Sequence, residues 1–367
     1  MSFVNTRTTK VDEVIDKALA GEFLTLEDGL VLYDSHDLTK LGAGAKAMML
    51  KHVPDNLGTF VVNRNINYTN VCDTYCLFCA FYRTAKDADA YVLDDEVIFK
   101  KIEEAVELNG QERGTEILMQ GGTHPGLPFS YYTDLLRKIK ARFPGITMHS
   151  FSAAEIWKMV EVSGLPLEEV LRQLRDAGLD SLPGGGAEIL DDRTRIKISR
   201  IKESWEKWIE VHDVAQRMGM NTTATMVIGF GESHEERLMH FIRVRDQQAK
   251  TGKFTAFISW TFQPDNTKLK GTRVTATEYL KNLAISRLMV NNVRNFQSSW
   301  VTMGPKIGQI ALEFGCNDMG STMIEENVVS AAGAHNRMNR DQLVRAIQGA
   351  GRTAAQRDTQ YNILKVF

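Results

Sequence analysis

The sequence predicts a (β/α)8 barrel of the TIM type, complete or nearly so, preceded by an N-terminal helical extension. Short apolar runs alternate with amphipathic helical patterns along most of the chain, eight candidate strands can be counted, and 367 residues suit one large barrel. Such alternation indicates parallel strands joined by right-handed crossovers. We therefore expect a helical extension over residues 1–58, packed on the barrel, and a barrel with C-terminal helices over residues 59–367.

The first elements along the chain are helical. Helical periodicity is clear in VDEVIDKALAGE and LTKLGAGAKAMMLKHV, and LTLEDGLVLYD between them predicts another short helical turn. The alternation then begins with the strand TFVVNRNINYTN at residues 59–70 and the helix DDEVIFKKIEEAVELNG at residues 94–110. The barrel is thus expected to start near residue 59.

Seven further strand candidates follow, separated by helical patterns such as YYTDLLRKIKARF and HEERLMHFIRVRDQQ. They are TEILMQGG (115–122), ITMHSFS (146–152), GLDSLPG (178–184), NTTATMVIGF (221–230), FTAFISWTFQP (254–264), QSSWVTM (297–303) and a short one near LEFGCNDMG (312–320). The competing prediction is an open doubly wound sheet, which usually carries a GxGxxG turn after its first strand. Here the first strand ends in cysteines, which favours the barrel.

The amino-acid composition excludes some classes of binding partner. Hydrophobic residues make up 43% and charged residues 25%, as in ordinary globular proteins. The 44 basic and 46 acidic residues are spread along the chain, so we expect no nucleic-acid partner. The N-terminus lacks a signal-peptide pattern, and no apolar run approaches the roughly 20 residues that span a bilayer. We expect a cytoplasmic protein without a membrane partner.

The stretch CDTYCLFC holds three of the four cysteines, Cys72, Cys76 and Cys79, in the loop after the first strand. Chemistry in barrels takes place on such loops. Inert buried cysteines and a structural zinc site are the alternatives, but zinc sites usually close with four ligands, often as two pairs, and no second pair exists. An iron–sulfur cluster normally takes four thiolates. Three thiolates on a four-iron cluster would leave one iron open to bind a substrate or cofactor.

CDTYCLFC resembles the CxxxCxxC motif of the radical S-adenosylmethionine (SAM) enzymes. The resemblance implies a [4Fe-4S] cluster on these three cysteines, SAM bound through its amino and carboxylate groups to the open iron, and reductive cleavage of SAM to methionine and a 5'-deoxyadenosyl radical. Cys316 is predicted to stay outside the site. An iron–sulfur electron carrier without SAM turnover, or a zinc-binding scaffold, stays open as an alternative of a different class.

The same resemblance implies cofactor-binding residues after the later strands. Gly121 and Gly122 would offer backbone carbonyls to the methionine ammonium group, Ser152 would contact the cofactor or substrate, and Glu188 would accept the ribose hydroxyls. Gly229 lies in MVIGFGE, which resembles the family's element that supports adenine by backbone contacts. The alternatives are a plain glycine turn, a helix cap at Ser152 and a surface glutamate.

Two aromatic residues and four polar residues complete the predicted site. Phe78 and Phe81 are expected to exclude water and pack near the adenine, although either ring could belong to the core. The polar candidates for substrate contact are Gln263, Asp265 and Asn266 after the sixth strand. His149 is a candidate catalytic base or polar contact, and a satisfied core histidine is the alternative.

A wider resemblance runs from NYTNVC through LPGGGAEIL and FISWTFQPDNT to FGCNDMGSTMIEE. It is to the ring-closing radical SAM enzymes of the futalosine route to menaquinone. It implies a nucleoside substrate with a benzoate group, hydrogen abstraction from ribose C4', radical addition to the benzoate ring, and a reductant such as flavodoxin or ferredoxin. Aminofutalosine synthases and deazaflavin-forming relatives are the alternatives. An arginine fork would suit the benzoate carboxylate, but the sequence does not single out one arginine.

Overall fold

The structure, a computed structural model, describes residues 3–367. Eight parallel strands form a closed barrel, because β1 pairs with β2 on one edge and with β8 on the other. The barrel strands are β1 Leu57–Ile66, β2 Thr115–Met119, β3 Thr147–Ser150, β4 Ser181–Leu182, β5 Asn221–Ile228, β6 Phe254–Thr261, β7 Asn295–Gln297 and β8 Asp318–Ser321. The predicted eight-stranded barrel is confirmed.

The strands are buried on both faces, and their side chains alternate between two surroundings. In β1, Phe60 and Val62 belong to the apolar core, whereas Asn63 and Asn65 line a cavity inside the barrel. Because successive side chains of a strand point to opposite faces, this alternation follows from the period of two. The outward face is covered by helices, as parallel sheets require. The barrel interior therefore carries polar side chains, such as Asn63 and Asn65, among apolar ones, such as Val61 and Leu118.

Helices surround the barrel and precede it. They are α1 Phe3–Leu19, α2 Leu26–Asp34, α3 Leu38–His52, α4 Asp95–Asn109, α5 Phe129–Arg142, α6 Ala153–Ser163, α7 Leu167–Ala177, α8 Asp192–Ile198, α9 Trp205–Arg217, α10 His234–Thr251, α11 Ala276–Met289, α12 Trp300–Met303, α13 Pro305–Ala311, α14 Val328–Ala331 and α15 Arg340–Gly349. Several begin at capping boxes, including α10 at Ser233. No helix in the described part of the chain is long and apolar enough to cross a membrane.

The first three helices pack against the outer helices of the barrel. Helix α3 lies along α11, and α2 contacts α10. The Tyr33 hydroxyl donates to the Asn282 side chain at 2.7 Å, and Gly29 lies so close to Leu238 that a Cβ would collide with it. These contacts fix the extension against the outer helices α10 and α11.

One predicted strand is wrong over most of its length. QSSWVTM was expected to be a strand, but β7 ends at Gln297 and residues 300–303 form the short helix α12. The Ser299 N–H donates to the Tyr279 hydroxyl at 2.9 Å, which turns the chain away from the sheet. Trp300 and Val301 then line the cavity. Tertiary contacts thus override the apolar pattern of this segment.

The chain ends in two strands that the sequence pattern did not predict. Strand β9 (Thr353–Arg357) pairs in parallel with the first residues of β1, and β10 (Ile363–Val366) pairs antiparallel with β9. On β1, the β9 partners run from Leu57 to Phe60, and the β8 pairing begins at Thr59. β9 therefore lies at the N-terminal end of the barrel, where it helps to close the bottom.

Candidate active site

A cavity of about 420 Å³ occupies the barrel interior and is lined by its strands and the loops that follow them. One side of it, here called the cysteine wall, consists of Cys72, Cys76, Cys79, Phe78 and Phe81. The opposite end, here called the floor, is formed by His149 and Gln297 together with three residues of the C-terminal segment, Arg357, Thr359 and Tyr361. A volume of this size is typical of small-molecule sites.

Backbone hydrogen bonds fold the cysteine loop into a compact turn. The Cys72 N–H donates to the Arg83 carbonyl at 2.9 Å, and the Arg83 N–H donates to the Asn70 carbonyl at 2.7 Å. Within this closed loop, the Cys79 N–H donates to the Cys76 carbonyl at 3.1 Å, and Tyr75 adopts a positive φ of 50°. The loop thereby places all three cysteines on the cavity, as the sequence predicts.

Two hydroxyl groups that the sequence did not single out lie beside the sulfur atoms. Thr123 Oγ1 is 3.2 Å from Cys72 Sγ, and Ser199 Oγ is 3.3 Å from Cys76 Sγ. Burial raises the pKa of the Cys76 thiol to about 12, so its thiolate needs a nearby cation or metal. Thiolates are the usual ligands of iron–sulfur clusters, and the donor set of three thiols on one loop fits such a group.

The thiols are spread along the wall. Among the described side chains, no group of three or more His, Cys, Asp or Glu residues is arranged to hold a single metal ion. Cys316 is fully buried and does not line the cavity. It lies near Arg287 and Tyr279 in the outer layer, away from the other three cysteines.

The glycine pair after β2 touches the cysteine loop. A Cβ on Gly122 would collide with the Val71 carbonyl oxygen and lie 2.7 Å from Cys72 Cβ. The Gly121 N–H donates to Glu155 Oε1 at 2.9 Å, and the Tyr68 hydroxyl donates to the same oxygen at 2.7 Å. Only glycine therefore permits this approach of the two loops.

Glu155 is a buried residue that the sequence reasoning missed, although the capping box SAAE would have shown it. Burial raises the pKa of its carboxyl group, which accepts hydrogen bonds from three other residues. One of them is Ser152, whose hydroxyl donates to Glu155 Oε2 at 2.7 Å and which caps α6. The helix-cap interpretation is correct; Ser152 lines the cavity as well, and its contact with a cofactor or substrate stays a prediction.

Glu188 is buried in the cavity lining rather than at the surface, and its φ is 38°. Its Oε2 atom accepts from Lys202 Nζ at 2.7 Å and lies 3.9 Å from Arg195. Burial alone would lower the pKa of Lys202, but Glu188, Cys76 and Glu203 together outweigh burial and the pKa is raised. The Lys202 ammonium also lies 5.5 Å from the Phe78 ring centroid. This ion pair joins the fourth-strand loop to the cysteine wall.

Aromatic rings extend the cysteine wall toward β5 and β6. The ring centroids of Phe78 and Phe230 are 5.3 Å apart, and those of Phe230 and Phe262 are 5.1 Å apart. Gly229 adopts a φ of 108° and donates its N–H to Glu232, but it does not line the cavity itself. The predicted Gly229 element thus lies next to the aromatic cluster and behind the cavity surface.

The floor is a polar network. His149 Nδ1 lies 2.7 Å from the Ser181 hydroxyl, and burial lowers the pKa of this histidine. Arg357 forms a bidentate pair with the buried Asp318, with Nη2 to Oδ1 at 3.1 Å. The Arg357 guanidinium also stacks 3.9 Å from the Tyr361 ring centroid. Of these groups, the sequence reasoning named His149 alone.

The three candidates after β6 divide into two groups. Gln263 is buried at the cavity, and its Oε1 has no hydrogen-bond partner in the described part of the chain. Asp265 and Asn266 do not line this cavity, because the chain leaves it after Gln263. Asp265 pairs with Arg273 on the surface at 2.7 Å, and Asn266 donates to the Ala331 carbonyl at 2.9 Å. The structure therefore removes support for the last two as substrate contacts.

A closed parallel barrel with three thiols on the loop after its first strand defines a class: barrel enzymes that hold a metal cluster at the C-terminal ends of their strands. Comparison with known families agrees with this class. Residues 66–242 match the radical SAM superfamily, and residues 251–367 match the CofH/MqnC C-terminal region. The chain belongs to the radical SAM superfamily and carries the C-terminal region of its CofH/MqnC members.

The chain is similar over nearly its whole length to curated members of this family. It is 57% identical to cyclic dehypoxanthine futalosine synthase of Halalkalibacterium halodurans, covering 97% of this chain and 96% of the relative. It is 43% identical to the enzyme of the same name from Streptomyces coelicolor, covering 98% and 90%. Identity to aminodeoxyfutalosine synthase of Thermus thermophilus is 38%, covering 98% of each chain.

Solved structures share the fold at low sequence identity. The crystal structure of methylornithine synthase (PylB) superposes with a TM-score of 0.69 at 19% identity, covering 92% of this chain and 96% of that one. The crystal structure of HydG, a maturase of the [FeFe]-hydrogenase, gives a TM-score of 0.74 at 16% identity, covering 95% and 76%. At such identities the likeness concerns the barrel architecture alone.

Proposed function

We propose that this radical SAM enzyme converts dehypoxanthine futalosine to cyclic dehypoxanthine futalosine in the futalosine route to menaquinone. The observation that carries the proposal is the graded similarity. Identity is 57% and 43% to two cyclic dehypoxanthine futalosine synthases and 38% to an aminodeoxyfutalosine synthase, each across almost the whole chain. A cavity of about 420 Å³ that faces three thiols is compatible with it.

The chain's residues fit a [4Fe-4S] cluster and SAM. Cys72, Cys76 and Cys79 would hold the cluster on the cysteine wall. When bound, the cluster and SAM supply the 5'-deoxyadenosyl radical that removes a hydrogen atom from the substrate. The compact loop holds the half-buried thiols on the cavity. The Ser199 hydroxyl accepts from the Cys76 thiol and would donate to this sulfur once it is ionised, and the Thr123 hydroxyl, which donates to Asp73, lies beside Cys72 Sγ.

Three loops would bind the organic part of SAM. The edge at Gly121 and Gly122 offers backbone carbonyls to the ammonium group, because Glu155 and Cys72 already hold the rest of this edge in place. Glu188 would accept the ribose hydroxyls through Oε1, since the contacts from Lys202 and Arg195 are made to Oε2. Phe78 and the neighbouring rings would cover the adenine. These assignments keep the roles that the sequence resemblance implies.

The substrate would lie between the cysteine wall and the floor. Ring closure requires the ribose C4' radical and the benzoate ring to be held within roughly 3 to 4 Å, because positioning supplies most of the control. After radical addition, aromaticity returns when one electron and one proton leave. His149 is our candidate for the proton acceptor, since burial lowers its pKa and its Nε2 makes no hydrogen bond to the described residues.

The benzoate carboxylate needs a donor in the cavity. Lys202 and Arg357 are the lysine and arginine side chains that line it in the described part of the chain, and each is paired with a carboxylate. Arg357 has five N–H groups, of which two bind Asp318 and one binds the Asp358 carbonyl. The two remaining groups make Arg357 our candidate for the benzoate end of the substrate.

The experiment is an anaerobic assay of the reconstituted protein with dithionite, SAM and synthetic dehypoxanthine futalosine, followed by mass spectrometry. We expect 5'-deoxyadenosine together with a product two hydrogens lighter than the substrate, because one hydrogen leaves as an atom and one as a proton. Turnover of an enolpyruvyl benzoate instead would replace the proposal with aminofutalosine synthesis. A reducible cluster without any 5'-deoxyadenosine would indicate an electron carrier.

A further inference from the structure

Two surface segments meet the cysteine loop from opposite sides. Leu77, which lies between Cys76 and Cys79, donates its N–H to the Ile198 carbonyl at 2.9 Å. Its own carbonyl accepts from the Leu269 N–H at 2.7 Å. Both segments, 197–201 and 268–270, are thus hydrogen-bonded to Leu77. Their backbones lie about 10 Å apart, because two strand-like spacings separate them.

Both segments are basic. Lys197, Arg200, Lys268 and Lys270 are exposed, and none of them forms an ion pair with a carboxylate among the described side chains. Lys268 contacts the Tyr82 hydroxyl and ring instead. On the outer helices some exposed cations pair with neighbouring acids, as in Arg137–Asp134, Lys138–Asp95 and Arg172–Asp176, whereas others, such as Lys100 and Lys250, form no ion pair with the described side chains. The chain as a whole carries a formal net charge of -2, so the excess of positive charge is local.

Apolar side chains are exposed between the cations. Ile201 is 63% exposed, and Tyr75 is 47% exposed at the tip of the cysteine loop. Tyr75 packs edge-on against Tyr82, with ring centroids 5.9 Å apart, which limits its freedom. Exposed apolar groups with charged groups around them are typical of surfaces that dock another protein. The four cations together with Tyr75 and Ile201 are called the basic face below.

We infer that the basic face is the docking surface for a small acidic protein that carries single electrons on a flavin or an iron–sulfur group. The inference rests on the proposed function, because reductive cleavage of SAM needs an electron delivered to the cluster on the other side of this loop. Complementary charge steers such a partner and fixes its orientation. The face lies over Leu77, one residue from Cys76.

A shallow cleft beside Cys79 borders the basic face at Lys268. It is lined by two acids, Asp87 and Asp89, and by two cations, Arg83 and Lys268. Asp89 pairs with Arg83 at 2.8 Å, and Asp87 accepts from the Thr84 N–H at 2.6 Å, so both acids are ordered there. Because the two acids of the cleft are matched by two cations, the unbalanced positive charge lies at Lys197, Arg200 and Lys270.

The test uses the reconstituted holoenzyme and a reduced acidic flavodoxin as the probe, with cluster reduction followed by absorbance in rapid mixing. Two variants reverse the charge of one segment each, Lys197→Glu with Arg200→Glu, and Lys268→Glu with Lys270→Glu. We expect each pair to slow reduction by flavodoxin about tenfold or more at low ionic strength. The difference should shrink as salt is added, because salt screens exposed charges.

A matched control reverses Lys250 and Arg294, which are exposed near the N-terminal ends of β6 and β7, at the other end of the barrel. We expect the control to react with flavodoxin at the wild-type rate, and all variants to be reduced normally by dithionite. Equal rates for the control and the basic-face variants would overturn the inference. So would an equal loss with dithionite, because the residues would then act on the cluster itself.

The same design separates this inference from the proposed function. Reduction is measured without SAM or substrate, so a failed ring-closing assay leaves the docking result intact. If flavodoxin binds elsewhere, the dithionite assay still reports on ring closure. Each proposal therefore stands or falls on its own measurement.

Discussion

The cysteine wall and the floor form two ends of one cavity, and the chain builds them in different ways. The wall takes its cysteines and phenylalanines from residues 72–81 of a single loop. The floor joins β3 to the last residues of the chain, and its central pair, Asp318 and Arg357, is 39 positions apart in sequence. Residues that are close in sequence lose little conformational entropy when they come together, whereas a pair that is distant in sequence depends on closure of the whole barrel. The wall should therefore control the cofactor, and the floor should control stability and substrate.

The largest effect is expected from Cys76→Ala. Loss of one of three thiolates should lower bound iron strongly and reduce 5'-deoxyadenosine formation to background, because the cluster loses a ligand. Iron content and product analysis after anaerobic reconstitution measure both. Cys316→Ala is the control and should keep the cluster, because this residue is buried away from the wall. Loss of the cluster in the Cys316 variant would contradict the assignment of three ligands.

The floor is tested by Asp318→Asn. The side chains of Arg357 and Asp318 are 2% and 0% exposed, so the substitution leaves a buried, unpaired guanidinium and should cost about 3–5 kcal/mol of unfolding free energy. Urea unfolding of the apoprotein measures the change. Asp265→Asn breaks an exposed ion pair with Arg273 and should cost no more than about 1 kcal/mol.

Asp318→Asn also tests whether the floor and the cysteine wall are independent of each other. If enough folded protein remains, its iron content should match the wild type, because Asp318 does not touch the cysteine loop. A fall in iron that follows the folded fraction is compatible with this expectation. A fall in iron at unchanged folded fraction would show that the two ends of the cavity are not separate.

Gly122→Ala tests how tightly the wall is packed. The new methyl group would collide with the Val71 carbonyl and press on Cys72, so we expect about 1–3 kcal/mol of destabilisation and reduced iron incorporation. Gly126→Ala is the matched control, because its Cβ would meet the His124 ring at 3.3 Å, where a surface side chain can move. Full iron content in the Gly122 variant would show that the loop can shift without loss of the cluster.

The floor should respond to acid through His149. Its pKa is lowered in the folded protein by burial, so the unfolded chain binds the proton more tightly, and stability is lost as pH falls below the unfolded value of about 6.5. The loss is about 1.4 kcal/mol per pH unit for one group until the folded pKa is reached. For His149→Gln, the unfolding free energy should fall less steeply between pH 7 and 5, by this amount per pH unit.

The control for the acid response is His335→Gln at an exposed position. It replaces an imidazole that is exposed in the folded protein, so it shows the effect of a His→Gln change without the loss of a buried ring. An unchanged slope in His149→Gln would show that His149 is not the floor group that resists protonation.

The smallest effect is expected from Ser199→Ala on the wall. The Cys76 thiol donates to this hydroxyl at 3.3 Å; once the sulfur is ionised as a ligand the hydroxyl would donate to it instead, and such a hydrogen bond favours the reduced cluster. Its removal should make the midpoint potential more negative by up to about 59 mV, a tenfold change for one electron. Spectroscopic redox titration measures the shift, and Ser199→Thr should restore the wild-type value. A potential unchanged in the alanine variant would exclude this role.

Much of the fold could be predicted because strands and helices alternate with clear periods. The apolar run of β1 and the helical pattern of α4 show this. Strand β9 was missed because its sequence, TAAQR, is small and polar, and its burial comes from its place beside β1. Likewise QSSWVTM has the composition of a strand, but the contact of Ser299 with Tyr279 ends the strand early.

The residues of the candidate site also fall into those that the sequence revealed and those that it did not. Cys72, Cys76 and Cys79 were recognised as a motif. Of the ion pair between Glu188 and Lys202, only Glu188 was predicted, because it follows a glycine-rich loop. Thr123, Glu155 and Ser199 were not found as site residues, since each contributes a single common side chain from a separate element. Asp265 and Asn266 were named from their position after a strand, but the direction of the following turn could not be read from sequence.

The sequence by itself determined the barrel and the three-thiolate loop, because both follow from short-range patterns: the period of the strands, the period of the helices and the spacing of cysteines. Only the tertiary structure decided what faces those thiols. The closed barrel brings the C-terminal segment under β1, joins Arg357 to Asp318, and sets Lys197 and Lys268 on either side of Leu77. These contacts join residues that are distant in the chain, and they form only when the strands meet around the cavity.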